Sequence, residues 1–413
     1  MSFRIAARIS LWSVLLSSAV FCSPADPPVT VHTVPPKIAF HDWRKVSDED
    51  DPPEYSVVFP SAVQSPYPAN NSVPLDVFLP EDVKGPTPVV VILHYWGARD
   101  LRTEKGLADE LTSAGLAAVI VTLPYHLERT PPGFSSGALA LRPDPARTDE
   151  TLTQHMVATM TQSVLDVRRT VDWIQTRPEF DSKRIGIVGI SLGALVAATC
   201  YGVDERISAS AFMLGGADLA HILWNSALVL PERDGLRKLG YTEQRLQSEL
   251  APIEPLGVLS ERKNPEAFVI GAKNDTVIPP EDTGKLVDAL PGAKTLWIDT
   301  GHYGGIFVQR RLGRLVARYF ATEFSGQSYV PPTSIYAPTI RIGAQANNDQ
   351  GLQIAVSLDI WRSDKDGKFF GAVMASPKGA QLFLGARLDA GIAPGIFFGP
   401  DHISFGVFWG IVL

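Results

Sequence analysis

The chain has 413 residues, 45% of them hydrophobic and 20% charged, which suits a globular protein with one large core and room for a second small domain, and excludes a disordered one. With 37 Lys and Arg against 44 Asp and Glu, a formal charge of -7 and no basic cluster, the composition speaks against a nucleic-acid partner. Cys22 and Cys200 are the only two cysteines and make no disulfide framework, and no Cys or His spacing suits a metal, so neither a metal nor a cofactor is expected.

Residues 1–25 open with Arg4 and Arg8, continue in an apolar run over 9–22 that is too short to span a bilayer, and end in Ser23-Pro24-Ala25. This reads as a signal peptide and predicts export, to a periplasmic, extracellular or outer-membrane location. Residues 26–54, rich in Pro and acidic side chains, read as a linker or a strap over the surface. Two short alternating runs, 55–60 and 73–79, suit an antiparallel opening pair, and the apolar run 89–93 suits a strand buried on both faces of a parallel sheet.

From there strand and helix patterns alternate. A helix over 101–114 leads to a strand over 117–123, and a helix over 159–176 to a strand over 184–188; further strands are expected at 207–214, 267–270 and 295–298. In the second helix Val164, Val167, Val171 and Ile174 form one apolar face, with Arg168, Arg169 and Asp172 on a solvated one. The pattern predicts an eight-stranded, mostly parallel sheet with helices on both faces. Residues 221–264 interrupt the rhythm, carry no strand pattern, and read as a helical lid or pocket wall above the carboxyl ends of the strands.

After residue 324 the composition changes. Residues 335–413 lack helix patterns and alternate between turn clusters at 347–349, 364–367, 376–379 and 399–401. Leu352, Ile354, Val356, Leu358 and Ile360 face one way while Gln353, Ala355, Ser357 and Asp359 face the other. About six antiparallel strands are expected, in an accessory sheet or sandwich packed on the rest of the chain or on a partner. The alternation also resembles strands of an outer-membrane barrel, although single-chain barrels of that kind start at about eight strands.

The chemistry is carried by Gly189-Ile190-Ser191-Leu192-Gly193, set between strand formers and helix formers. A serine at such a sharp turn presents its hydroxyl to solvent, and glycines two positions away relieve collisions. Taken alone the pattern also fits a helix N-cap. Acyl transfer by serine needs a base, a carboxylate behind the base, and oxyanion donors. His302, between glycines after the last strand, is the candidate base; Asp275, past the end of the strand 267–270, is the candidate acid, with Asp218 its rival. The donors are expected to be the Leu192 N–H and an N–H of the loop His94-Tyr95-Trp96-Gly97, from Trp96 first and Tyr95 second. Tyr125, His126, residues 131–141 and the insertion are expected to shape the pocket.

With these residues in order, the chain resembles an α/β-hydrolase, and residues 166–193 resemble the dienelactone hydrolase and acetyl esterase branch. The resemblance covers residues 55–325 and implies a serine hydrolase with Ser191, Asp275 and His302 as its triad. Dienelactone hydrolases carry cysteine where this chain has Ser191, and the usual His-Gly pair of the oxyanion loop is His94-Tyr95 here. The expected activity is carboxylic ester hydrolysis through an acyl-serine, on a small-molecule or carbohydrate-linked ester, with a membrane or protein partner for residues 335–413. A peptidase or acyltransferase of the same fold, or a non-catalytic hydrolase-like binding protein, are the alternatives.

Overall fold

A computed structural model of the chain describes residues 28–47, 53–81, 85–363, 368–388 and 391–412. The leader with Cys22 and the turn expected at 364–367 lie outside the described residues. The apolar runs assemble into a nine-stranded sheet, ordered β1-β2-β3-β5-β4-β6-β7-β8-β9. Its strands are β1 (Arg44–Lys45), β2 (Glu54–Pro60), β3 (Ser72–Phe78), β4 (Thr87–Leu93), β5 (Ala117–Val121), β6 (Phe180–Ile190), β7 (Ile207–Met213), β8 (Ala267–Ala272) and β9 (Lys294–Ile298). Pairing is antiparallel from β1 to β5 and parallel from β5 to β9. The eight expected strands are present and β1 is a ninth. It is too short for alternation to signal, and it is held by the pairing of Lys45 with Tyr55 and by Trp43 stacking on the Tyr55 ring at 4.5 Å.

Helices cover both faces. On one lie α1 (Arg102–Ser113) and α9 (Gln309–Phe324); on the other lie α2 (Leu152–Thr176), α3 (Leu192–Val203) and α8 (Pro280–Asp288). The insertion after β7 folds as α4 (Leu219–Asn225), α5 (Arg233–Lys238), α6 (Glu243–Leu250) and α7 (Pro255–Leu259). Helix α2 starts at Leu152, seven residues before the expected 159, because Thr151 and Gln154 form a capping box that satisfies the first free N–H groups.

The expected solvated face of α2 is also corrected. Arg168 and Arg169 are buried, since the strap lies over them and its carbonyls accept hydrogen bonds from their guanidinium groups: Arg168 donates to the Thr33 carbonyl at 2.6 Å and Arg169 to the Pro36 carbonyl at 3.1 Å. Deeper on the helix, Asp166 meets Arg129 at 2.8 Å, both fully buried. The remaining valences of the pair are filled: Asp166 accepts from Ser61 Oγ at 2.7 Å and from the Ala62 N–H at 2.8 Å, while Arg129 donates to the Asn70 and Thr122 carbonyls. A buried pair is tolerable only on such terms.

Residues after 339 form β10 (Ile340–Asn347), β11 (Gly351–Arg362), β12 (Phe369–Ser376), β13 (Gly379–Ala386), β14 (Ile392–Phe398) and β15 (Ile403–Val412). Where an accessory sheet or sandwich was expected, the six strands close into a barrel, with β10 pairing β15 from Arg341 opposite Val412 to Asn347 opposite Gly406. Small inner residues permit the tight curvature. A Cβ on Gly385 would lie 2.4 Å from the Phe383 ring, and one on Gly395 2.6 Å from it, so both positions make room for the packed rings of Phe370, Phe383, Phe397 and Phe408. The barrel end abuts the sheet: Thr276 Oγ1 donates to the Val412 carbonyl, Thr300 Oγ1 to the Pro338 carbonyl, and Arg362 pairs with Asp299 at 2.8 Å.

Removing one partner of the buried pair leaves the other charge uncompensated. Asp166→Ala is expected to lower the unfolding free energy by about 3–5 kcal/mol, measured by urea denaturation; a loss within that of a typical surface substitution would contradict the account.

Candidate active site

The carboxyl ends of β4, β6, β8 and β9 bring the candidate residues to one edge of the sheet, where open α/β sheets bind ligands. Ser191 is the single residue between β6 and α3, with φ 53° and ψ -113°, a conformation that L-residues seldom adopt. Its surroundings explain why it stays there. A Cβ on Gly189 would sit 2.1 Å from the Gly193 carbonyl oxygen, and one on Gly193 would sit 2.2 Å from the Leu93 carbonyl oxygen, so strand, turn and helix touch backbone to backbone.

The structure brings all three expected residues together. Ser191 Oγ lies 2.9 Å from His302 Nε2, and His302 Nδ1 lies 2.7 Å from Asp275 Oδ2. The other Asp275 oxygen accepts the Val277 and Ile278 N–H groups, both at 2.8 Å. A carboxylate so held accepts from Nδ1–H, which leaves Nε2 as the acceptor for the serine hydroxyl proton. Asp275 and His302 are buried. The rival Asp218 is engaged elsewhere: it caps α4 and accepts from Lys285 Nζ at 2.7 Å.

Ser191, Leu192, His302, Tyr95 and Trp96 all line one cavity of about 730 Å³. Apart from these the lining is largely aliphatic, including Leu195, Val277 and Ile278 from the main body and Leu219, Ile222, Leu223, Val229 and Leu236 from the insertion. Tyr125 and His126, expected in this wall, are absent from it, and of the loop 131–141 only Leu141 takes part, next to Arg142 and Pro143.

His126 works one layer behind, as does His94, and sequence reasoning missed both roles. His126 Nε2 accepts the Gly97 N–H at 3.0 Å while its Nδ1 faces the Pro124 carbonyl at 2.9 Å. His94 Nε2 accepts the Leu123 N–H at 3.0 Å while its Nδ1 faces the Tyr95 carbonyl at 2.8 Å. Each ring thus uses one donor and one acceptor and fits only as the neutral form. Trp96 Nε1 donates to the Gly137 carbonyl at 2.9 Å, so residues 94–97 are tied to residues 123–137 by three side chains. Burial holds His94 down at about 3 and His126 at about 4, with the neighbouring Arg129 charge acting in the same direction. Beside this loop burial pushes the Glu104 carboxyl up to about 7, with the Asp100 charge acting in the same direction, and neither carboxyl oxygen has a hydrogen-bond partner among the described residues.

A family model described as the dienelactone hydrolase family matches residues 75–295. Two uncharacterized proteins of Mycobacterium tuberculosis, MT2702 and Rv2627c, are each 28% identical over 228 residues, 55% of this chain and 50% of theirs. The chain therefore spans about half the length of the curated relatives it matches. Among solved structures, an acetyl xylan esterase from Paenibacillus sp. R4 is similar in fold, with a TM-score of 0.53 and 19% identity over 68% of this chain and 90% of that one. Acetyl xylan esterase 1 from Thermoanaerobacterium sp. JW/SL YS485 is similar at a TM-score of 0.52 and 16% identity, over 68% of this chain and 86% of that one.

The buried titratable groups set a pH dependence. In the unfolded chain both histidines bind protons below about 6.5 that the folded chain refuses, so stability falls as pH drops from there toward about 4. Glu104 runs the other way: it stays protonated in the folded chain up to about 7, so its contribution is lost as pH rises from about 4.5 through about 7. Taken together these three groups leave a net loss on acidification, on the order of 2 kcal/mol between pH 6.5 and 4.5, which the carboxyls of Asp76 and Asp282, also raised by burial, reduce. Urea titrations should show that loss, and Glu104→Gln should steepen it while raising stability at pH 7.5. A profile that is flat, or that rises toward acid, would contradict the assignment.

Proposed function

The chain belongs to the dienelactone hydrolase family and is a hydrolase, and on that premise we propose that it cleaves carboxylic esters through an acyl intermediate on Ser191. The observation that carries the reading is the continuous run of hydrogen bonds from Ser191 Oγ through His302 to Asp275 on the wall of an apolar cavity.

In this proposal His302 Nε2 takes the hydroxyl proton as Oγ attacks the ester carbonyl, and Asp275 stabilises the imidazolium that results. The tetrahedral oxyanion is held by the Leu192 N–H and the Trp96 N–H, both on residues that line the cavity with Ser191. The imidazolium returns its proton to the leaving alcohol, and water, activated by His302, then releases the acid. Serine at the position where the family resemblance expects cysteine makes the base contact necessary, since a serine hydroxyl is a poor nucleophile until its proton is removed. The aliphatic lining fits an alkyl acyl or alcohol group better than a polyol, which favours a small apolar ester over a carbohydrate-linked one. The basic start and apolar run of residues 1–25 support export as part of the same proposal.

Ser191→Ala is expected to lower hydrolysis of a soluble p-nitrophenyl ester by about 10⁴-fold or more with an unchanged circular dichroism spectrum; retained activity would refute the nucleophile. Across p-nitrophenyl acetate to hexanoate, kcat/KM should rise at least about tenfold, well within the roughly 3 kcal/mol that four buried methylenes can contribute. A preference for acetate would contradict the apolar acyl site.

A further inference from the structure

The C-terminal barrel keeps its charged residues inside, beside a small apolar core, and shows apolar side chains on its exterior. Its strands contain three charged residues, Arg341, Asp359 and Arg362, and all three turn inward and pair with one another through Asp359. Gln345, Ser357, Gln381 and Ser404 are buried with them. Most of the large aliphatic side chains and several aromatic ones point out, while Phe370, Phe383, Phe397 and Phe408 pack inside. Ile342, Ile354, Val373, Leu382, Phe398 and Phe405, one from each strand, are 37–72% exposed.

We propose that this exterior faces the hydrocarbon of a lipid bilayer and that the barrel anchors the hydrolase domain to a membrane. Two properties choose a bilayer over a protein or a second copy of the chain. The apolar surface runs around all six strands, so a partner docked on one side would leave the others in water, whereas lipid covers every side. Closure also pairs both edges of each strand, which is the condition hydrocarbon imposes on any spanning segment, because it offers no partner to a free N–H or C=O.

The dimensions are consistent with this occupant. β11 has 12 residues and β15 has 10, against the roughly 9–11 that a tilted strand needs to cross the hydrocarbon. The other four strands have seven or eight residues, a shortfall that a bilayer meets by thinning locally. Six strands are also fewer than the eight of the smallest single-chain outer-membrane barrels. The consequence here is a lumen filled by phenylalanine rings, so the barrel is an anchor and not a pore. This inference is independent of the chemistry at Ser191.

Flotation of the purified full-length chain with phosphatidylcholine vesicles tests it. The chain should float with the vesicles and stay with them through washes in 1 M NaCl and in alkaline carbonate. Leu382→Glu combined with Phe405→Glu should reduce the floated fraction at least tenfold while hydrolysis of a soluble ester persists. Because that variant could lose the barrel fold, a second readout uses Val373→Cys carrying an environment-sensitive fluorophore, whose emission should shift to the blue with vesicles and be quenched by brominated lipid. A wild-type chain that remains unfloated, as a monomer or as a dimer of its own copies, would overturn the proposal. So would release by salt, a glutamate variant that floats as well as the wild type, or a fluorophore that lipid leaves unchanged.

Discussion

Between β4 and α3 the backbones approach until no side chain fits: a Cβ on Gly193 would lie 2.2 Å from the Leu93 carbonyl oxygen. That contact forces the chain to leave β6 through a turn with Ser191 at φ 53°, and it does so beside the ends of the two strands that deliver Asp275 and His302. A turn made this tightly has little freedom to relax. The strain at Ser191 is therefore carried by close packing of the sheet and helix, and Oγ is held where His302 Nε2 can reach it.

A second layer of buried polar groups holds the loop opposite. Asp166 fixes Arg129, and Arg129 holds the carbonyls of Asn70 and Thr122. Asn70 Oδ1 accepts the Tyr125 N–H, and the next residue, His126, accepts the Gly97 N–H. Residues 94–97 are thus tied by consecutive hydrogen bonds to the middle of α2. Satisfied networks of this kind are rigid because any one defect leaves a buried group unpaired. In the proposed mechanism this rigidity keeps the loop's donor in place before the oxyanion forms, since preorganised donors need no reorganisation during reaction.

The parts that the sequence made legible are those with a local signature. The strand, glycine-flanked serine and helix are contiguous, and alternation of strand and helix ordered Ser191, Asp275 and His302 along one sheet edge. What could not be read depends on residues far apart in the chain. Arg168 and Arg169 looked like a solvated face because the carbonyls they bind belong to a strap about 135 residues earlier. His94 and His126 look the same in sequence as any packed histidine, and only the fold shows which N–H groups they accept. In residues 340–412 alternation identified two faces, but which face turns inward is decided by closure, and closure depends on Arg341 in the first strand meeting Val412 in the last.

Covalent trapping probes the central claim most directly. The intact chain is treated with a fluorophosphonate, its mass is measured, and the modified residue is mapped by peptide sequencing. One equivalent on Ser191, formed far more slowly when His302 is replaced by alanine, is the result that the hydrogen-bonded run from Ser191 to Asp275 predicts. No adduct, an adduct on another serine, or a rate indifferent to His302 would contradict it.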